Sequence, residues 1–386
     1  MKSLIYVGMD VHKESYSLCT YLISSGEFIG ETKIEAKPSL IKDYLDTIAK
    51  LLKEEKGYME IEFQTCYEAG CLGFSLYKEM VKLGIDCKIV APTTLHKSAD
   101  SSVKKNDRRD AKMLARNLAY GTCSFVHIPD DVDLETKEYI RMRMAHMKAL
   151  KKIKQQIISF CLRCGHKYDS DHYWTIRHIK WLKDLEVSDF LREILDEYID
   201  TFEKSKEKLD RLEGKILDRS NIERYKKDTD NLNCLKGLTK QGALTIISEI
   251  GDFSRFATPN ELCSYLGLVP GERSSDGKGP SLGITKLGNT IVRTQLVESA
   301  QAIVRGNIGH KSKRTIEKQK GQDIRIISYC DRATERLMRK YQRLLCRGVN
   351  GNKAVTAIAR ELACFIWGIM NSKLEERVAG GPIKVI

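Results

Sequence analysis

The segment Leu4–Asp10, LIYVGMD, is a short apolar run that ends in an acid, and this pattern predicts a buried β-strand. Two more strand patterns follow, joined to each other by a Ser-Ser-Gly turn, and helix and strand patterns then alternate. The predicted strands cover 4–10, 15–23, 27–34, 58–65 and 86–91, and the predicted helices cover 38–53, 68–83 and a segment from 104 onward. The N-terminal part therefore has the predicted order β-β-β-α-β-α-β-α.

A meander of three strands followed by alternating helices and strands is the element order of an RNase H-like α/β fold. In that fold, acids at the end of the first strand, after the fourth strand and on a late helix converge on one metal-binding edge. The acids at these positions are Asp10, Glu68, Asp107 and Asp110. Four acids at the required elements together predict a metal site.

Two of these acids lie in the segment Lys104–Ala115, KKNDRRDAKMLA. Asp107 and Asp110 are three residues apart and so share one face of a helix, where two carboxylates repel each other unless a cation lies between them. Such a pair suits a hard metal such as Mg²⁺. The alternative is a solvated amphipathic helix of mixed charge. The basic residues that would suit an approaching phosphate are Lys104, Lys105, Arg108 and Arg109.

The composition is that of a soluble globular protein with two or three domains, with 386 residues, 42% hydrophobic and 30% charged. The net charge of +13 favours a polyanionic partner, nucleic acid before membrane. We find neither a signal peptide nor an apolar run long enough to cross a bilayer. We therefore expect a cytoplasmic, nucleoid-associated protein.

The middle of the chain contains two long helical patterns, over 134–164 and 187–222, with a coiled-coil-like apolar seam. The sequence leaves open whether they pair within one chain or dimerise. Further on, Leu238–Gly242 resembles a helix-hairpin-helix turn, which presents backbone N–H groups to a phosphate. The alternative is an ordinary helix-turn-helix packing unit.

A Gly-rich, polar and basic segment, Val269–Asn289, contains the adjacent serines Ser274 and Ser275. A hydroxyl in a basic loop can attack a phosphorus atom while nearby cations stabilise the developing charge. The alternative is a surface loop whose serines favour turns. The candidate phosphate ligands here are Arg273, Lys278 and Lys286, with Asn289 and Arg293 as weaker ones.

The N-terminal half resembles the DEDD transposases of the IS-one-ten family of bacterial insertion sequences in three blocks, YVGMDVHKES, CYEAGCLGFSLYKEM and KNDRRDAKMLA. The C-terminal half resembles the transposase domain of that family in LKGLTKQGALTIISEIGDFSRFATPNELCSYLGLVPGERSS and GITKLGNTIVRTQLVESA. Together the blocks span roughly residues 4–120 and 231–305, in the family's order.

This resemblance implies a site-specific DNA recombinase that excises and inserts its own element. Its RuvC-like domain would hold Mg²⁺ through the four acids, and its C-terminal domain would supply a serine that attacks the DNA phosphate. By motif the nucleophile is Ser275, because it is the second serine of the segment, and Ser274 is less favoured. Asp276 stands where the pattern usually has Gly, which leaves the choice between the two serines open. The implied partners are donor and target DNA, a structured bridge RNA that guides both, and further copies of the chain in a dimer or tetramer.

The predicted architecture has four parts. They are a RuvC-like domain over 1–125, a long helical coiled-coil linker over 126–228, a mainly α transposase domain over 229–375, and a flexible tail over 376–386. Two other functions stay open. One is a RuvC-like, Mg²⁺-dependent nuclease that cuts with activated water, in which the serine segment is only structural. The other is a non-catalytic nucleic-acid-binding protein.

Overall fold

The computed structural model describes residues 2–70, 72–92, 95, 107–271 and 283–374. The predicted tail lies outside these ranges. So do six of the predicted site residues, Lys104, Lys105, Arg273, Ser274, Ser275 and Lys278. The chain forms two compact units, 1–128 and 129–386.

A five-stranded mixed sheet forms the centre of the N-terminal unit, in the order β3-β2-β1-β4-β5. The strands are β1 (Lys2–Val11), β2 (Ser15–Leu22), β3 (Glu27–Glu35), β4 (Glu60–Glu68) and β5 (Cys87–Val90). The central strand β1 pairs antiparallel with β2 and parallel with β4. The predicted α/β class of this region is confirmed.

The helices of this unit are α1 (Pro38–Lys56), α2 (Ser75–Lys82) and α3 (Asp107–Ala119). The prediction that a helix opens at Glu68 is wrong. Glu68 is the last residue of β4 and pairs with Val90 of β5, so the strand continues to this point. Gly73 then adopts a left-handed conformation, with φ of 54°, which interrupts any helix before α2 begins.

The two faces of β1 carry different side chains, because successive residues of a strand point to opposite sides. Ile5, Val7 and Met9 are buried in the same core cluster as the apolar face of α1. On the other face, α3 lies directly against Gly8. A methyl group at Gly8 would lie 2.1 Å from the Ala111 carbonyl oxygen and 2.3 Å from the Ala115 nitrogen.

The second unit is helical, as predicted. It begins with α4 (Asp131–Arg163), α5 (Ile176–Lys183) and α6 (Asp189–Ser220). The long helices α4 and α6 pack against each other around buried residues such as Ile157, Leu195 and Phe202, so they pair within one chain. Among the described helices, none combines the length and the apolar character that a bilayer crossing requires.

Seven more helices complete this unit: α7 (Glu223–Asn233), α8 (Lys240–Ile250), α9 (Pro259–Tyr265), α10 (Thr290–Val304), α11 (Lys313–Gln319), α12 (Ile324–Cys346) and α13 (Gly351–Met370). The apolar helix α13 packs against α7, α9, α10 and α12. Its buried residues, with those of α8 and α10, form the largest core cluster of the described chain.

A buried carboxylate, Glu249 of α8, joins three elements of this unit. Its side chain is only 1% exposed, and it accepts hydrogen bonds from Arg141 Nε and Nη2 of α4 at 3.0 and 3.1 Å. It also accepts one from Asn289 Nδ2 at 2.7 Å. Asn289 caps α10 with its amide oxygen, so one ion pair fixes where α10 begins relative to α4 and α8.

The variant Gly8→Ala is expected to lower the free energy of unfolding by about 1–3 kcal/mol, because the new methyl group overlaps the backbone of α3. Urea unfolding measures this change. Gly214→Ala is the control, since Gly214 lies inside α6 with open space around its Cα. It should stabilise the protein by about 0.5–1 kcal/mol. Equal effects of the two variants would contradict the close contact.

Replacing either partner of the Arg141–Glu249 ion pair should lower the free energy of unfolding, but by different amounts. Arg141→Met leaves the Glu249 carboxylate buried without its cation, and we expect a loss of about 3 kcal/mol or more. Glu249→Gln leaves Arg141, which is 47% exposed and can reach water, so the expected loss is smaller, about 1–2 kcal/mol. Urea unfolding of both variants tests this order, and the reverse order would refute the argument from burial.

Candidate functional site

The predicted acids come together at one edge of the N-terminal sheet. In the parallel pair β1 and β4, Met9 lies opposite Tyr67, so Asp10 and Glu68 follow at the same edge. Asp107 is the first residue of α3, and Asp110 follows in the same turn. The contact of α3 with Gly8 brings that turn towards Asp10, which lies on the same face of β1 as Gly8.

A histidine that the sequence analysis did not select completes the centre of this group. His12 Nε2 lies 3.3 Å from Asp10 Oδ2 and 3.6 Å from Asp107 Oδ1. One ligand atom from each of these three residues lies within 4.8 Å of the others. The sequence did contain one indication of His12. It follows Asp10 by two positions, and residues two apart in an extended chain lie on the same face.

Two buried oxygen atoms of this region form no hydrogen bond of good geometry with the described residues, although His12 Nε2 lies 3.3 Å from one of them. They are Oδ2 of Asp10 and Oγ of Ser17. Ser17 lies directly opposite Asp10 in the β1–β2 pair. Since buried polar atoms are nearly always paired, two adjacent unpaired oxygens indicate a place for a ligand with positive charge or hydrogen-bond donors.

The two central carboxylates differ in their electrostatics. Burial raises the pKa of Asp10; His12 partly offsets this, and the charges of Asp107 and Asp110 raise the pKa further. In contrast, a hydrogen bond from Lys33 Nζ at 3.2 Å lowers the pKa of Asp107. The negative charge on Asp10 is therefore poorly compensated by the protein alone.

This arrangement fits a divalent cation. Carboxylate oxygens are the usual ligands of hard divalent ions, and an imidazole nitrogen is acceptable to several of them. Asp10, His12 and Asp107 are the ligand group that the described residues form. Glu68 and Asp110 lie outside that group, so their predicted role as ligands stays a prediction.

The predicted phosphate contacts of the N-terminal unit are only partly described. Arg108 and Arg109 are exposed on the first turn of α3. Arg108 Nε lies 3.7 Å from Glu31, and Lys112 also pairs with Glu31. Lys33, which the sequence analysis did not select, is the basic residue that contacts a predicted metal ligand directly.

The serine segment lies outside the described residues, but its two flanks are described. They form a short antiparallel pair, with a bridge between Pro270 and Ile284 and a hydrogen bond from Gly271 N to Gly283 O at 2.9 Å. Thr285 N donates to Val269 O at 2.9 Å. The two ends of the segment that contains Ser274 and Ser275 are thus held side by side.

Two predicted phosphate ligands belong to these flanks. Arg293 Nη1 donates to the carbonyl oxygens of Leu266, Leu287 and Gly288 at 3.0, 3.3 and 3.1 Å. Nη2 donates to Thr290 Oγ1 at 3.2 Å, so both terminal nitrogens of this guanidinium group form hydrogen bonds within the protein. Lys286 is exposed, and its backbone has a φ of 58°, a conformation that is uncommon outside glycine. A role for either residue on nucleic acid stays a prediction.

The predicted hairpin at Leu238–Gly242 connects α7 to α8. Thr239 caps α8 by accepting a hydrogen bond from Gly242 N at 3.1 Å. Lys318 Nζ of α11 donates to the carbonyl oxygens of Leu235 and Leu238 in this connection. Burial lowers the pKa of Lys318 to about 8. The Lys318 amino group thus lies beside the carbonyl oxygens of this turn.

Two family models match this chain. A model for DEDD transposases of IS110 elements, described as "Transposase", matches residues 7–164. A second model, described as "Transposase IS116/IS110/IS902 family", matches residues 229–315. The first range contains all four predicted acids, and the second contains both serines.

Curated relatives agree with these matches. The chain is 34% identical over 306 residues to a putative transposase, y4qE, of Sinorhizobium fredii, covering 79% of this chain and 74% of the relative. It is 28% identical over 357 residues to the transposase for insertion sequence element IS1533 of Leptospira borgpetersenii, covering 89% and 97%. It is 22% identical over 384 residues to the transposase for IS1111A of Coxiella burnetii, covering 96% and 90%. With two models of this family matched at separate parts of the chain and these transposases as relatives, this chain belongs to the IS110 family of transposases and is a DNA-acting enzyme.

Proposed function

We propose that this transposase is a site-specific DNA recombinase that uses Mg²⁺ at the N-terminal site and a covalent phosphoserine intermediate. The observation that carries the proposal is the cluster of Asp10, His12 and Asp107, in which one ligand atom of each residue lies within 4.8 Å of the others. This cluster supports a cation-dependent reaction, and the family supports DNA as the substrate. The predicted ligands are Asp10, Glu68, Asp107 and Asp110.

When bound, Mg²⁺ would supply positive charge that offsets the charge on the oxygens of the scissile phosphate. The protein residues around the site have separate tasks. Lys33 holds the Asp107 carboxylate in place through its hydrogen bond. His12 lies between Asp10 and Asp107, and we propose that it is a further ligand or orients both carboxylates.

The serine step follows from the resemblance of the C-terminal region. The Ser275 hydroxyl would attack phosphorus, forming a Ser Oγ–P bond while the bond from phosphorus to the leaving strand breaks. The proton lost by the serine ends on the hydroxyl of the leaving strand. A strand from the other duplex reverses the step, so no energy source is needed. The paired flanks at Gly271 and Gly283 support a serine segment with fixed ends.

The partners belong to the same proposal. A net charge of +13 supports a second polyanion beside donor and target DNA, and we propose that this is a structured bridge RNA. We further propose a dimer or tetramer in which the 1–125 domain of one subunit completes the serine site, within 229–375, of another.

Mg²⁺ or Mn²⁺ without DNA is expected to raise the thermal unfolding midpoint of the wild type. A cation that binds only the folded state stabilises it by about 2.7 kcal/mol at a hundredfold excess over Kd. Asp10→Asn should abolish this stabilisation. His12→Gln should weaken Mn²⁺ more than Mg²⁺, because imidazole is the better ligand for the transition metal.

The matched control is Asp86→Asn. Asp86 precedes β5 at the opposite edge of the sheet, where it pairs with Lys88 at 3.3 Å. This variant should respond to Mg²⁺ like the wild type. If Asp10→Asn gained as much stability from Mg²⁺ as the control, the cation would bind elsewhere.

Ser275→Ala is expected to abolish covalent protein–DNA product and to lower strand exchange by several orders of magnitude. The full chain would be incubated with Mg²⁺, DNA from the ends of its element and the transcript of the adjacent non-coding region. Denaturing gels and peptide mapping detect the phosphoserine link. Ser274→Ala is the matched control and should retain it.

The alternatives give different products. Strand cleavage by Ser275→Ala without a covalent link would indicate a nuclease that uses activated water. Loss of the link in Ser274→Ala alone would move the nucleophile to Ser274. Asp110→Ala should lose strand exchange and keep DNA binding, and full activity in this variant would contradict the four-acid site.

A further inference from the structure

One face of α12 carries a row of arginines that the metal and serine sites do not use. We call Arg332, Arg336, Arg339, Arg343 and Arg347 the arginine stripe. Their spacings of four, three, four and four residues place them within an arc of about 80° on the helix, over a length of about 22 Å. All five are exposed.

The arginine stripe lies opposite the packed face of α12. The opposite side of α12 carries the buried residues Cys330, Ala333 and Leu337, which belong to the large core cluster. The acids of the helix lie beside the stripe, not within it. Asp331 pairs with Lys311 of the neighbouring segment, and Glu335 pairs with Arg339 at the edge of the stripe.

The arrangement opposes the stability of the isolated helix. Arg332 and Arg336, Arg339 and Arg343, and Arg343 and Arg347 are like-charged pairs at i,i+4 spacing, which destabilise a helix. The helix dipole favours Arg343, in the last turn, and Arg347, the C-cap residue that follows α12, but not Arg332. A row of exposed cations with few acids on the same face suits an anionic partner.

A buried acid from α13 orients the middle of the stripe. Glu361 is 6% exposed and accepts hydrogen bonds from Arg336 Nε at 2.5 Å and Lys340 Nζ at 2.6 Å. One carboxylate thus holds two cations, and the site keeps a net positive charge. Arg332, Arg343 and Arg347 form no ion pair with any residue in the described ranges, so their guanidinium groups are available to a ligand.

We propose that the arginine stripe binds the phosphate backbone of duplex DNA, independently of base sequence. The proposal rests on the proposed function for the identity of the partner. Arginine dominates the stripe, and its planar group donates two parallel hydrogen bonds to a phosphate. The stripe is about 22 Å long, so it can contact several phosphates at the surface of a duplex.

The test compares two triple variants that remove the same charge. Arg332→Gln/Arg343→Gln/Arg347→Gln removes the uncommitted cations of the stripe. The control Lys208→Gln/Arg211→Gln/Lys215→Gln removes three exposed cations from α6. Binding to a fluorescent duplex of arbitrary sequence is measured over a range of NaCl concentrations, in EDTA so that no cleavage occurs. Urea unfolding verifies that both variants fold.

For the stripe variant we expect the slope of log K against log salt to fall by about 2 to 3, because three phosphate contacts no longer release counterions. Duplex affinity at low salt should fall about tenfold or more, and the control should retain the wild-type slope. Equal slopes in the two variants would overturn the proposal. An unchanged duplex slope with weakened binding to a stem-loop RNA would overturn the assignment to DNA.

This experiment is independent of the chemistry proposed above. Ser275→Ala and Asp10→Asn should both bind the duplex with the wild-type slope. If the stripe variant loses binding while the covalent serine product is never found, the surface stands and the serine mechanism fails. If the serine product forms and the two triple variants have equal salt slopes, the serine mechanism stands and the proposed DNA-binding surface fails.

Discussion

The contact between Gly8 and the backbone of α3 is the constraint on which the candidate metal centre depends. A side chain at this position would overlap the Ala111 carbonyl oxygen and the Ala115 nitrogen. The helix can lie this close to β1 because Gly8 has only a hydrogen atom in place of a side chain. Asp10 points to the same side of the strand two residues later. The packing of α3 therefore places Asp107 close to Asp10, although the two residues are far apart in the sequence. The position of the carboxylates is set by backbone packing and not by attraction between them, since they repel.

Because packing holds these carboxylates close together, nearby groups must offset the repulsion between their charges. Lys33 and His12 offset it at Asp107, but burial and two neighbouring carboxylates act against the charge on Asp10. A site with more negative charge than its protein partners neutralise is preorganised for a cation.

The order of strands and helices was predictable because each element has a local signature, such as the apolar run that ends at Asp10. Long-range features were not. The end of β4 at Glu68 depends on pairing with β5, and the choice of α4 and α6 as partners depends on tertiary packing. In the site, Asp10 and Asp107 were selected by motif, whereas His12 was missed because a single histidine after a strand has no distinctive pattern. The contacts of Arg293 with three carbonyl oxygens also required the folded backbone.

Burial of the partner group separates structural from functional cations in the C-terminal unit. Arg141 faces the buried Glu249, and Arg293 faces the backbone at the base of the serine segment. If either bound a phosphate, it would first have to give up internal hydrogen bonds, and the acceptors left behind would be poorly solvated. Arg332 and Arg343 have no such commitment within the described chain. A net charge of +13 cannot distinguish these two kinds of arginine. The cost of releasing each guanidinium group from its internal hydrogen bonds does distinguish them, and it favours the exposed arginines of α12 over Arg141 and Arg293 as contacts of nucleic acid.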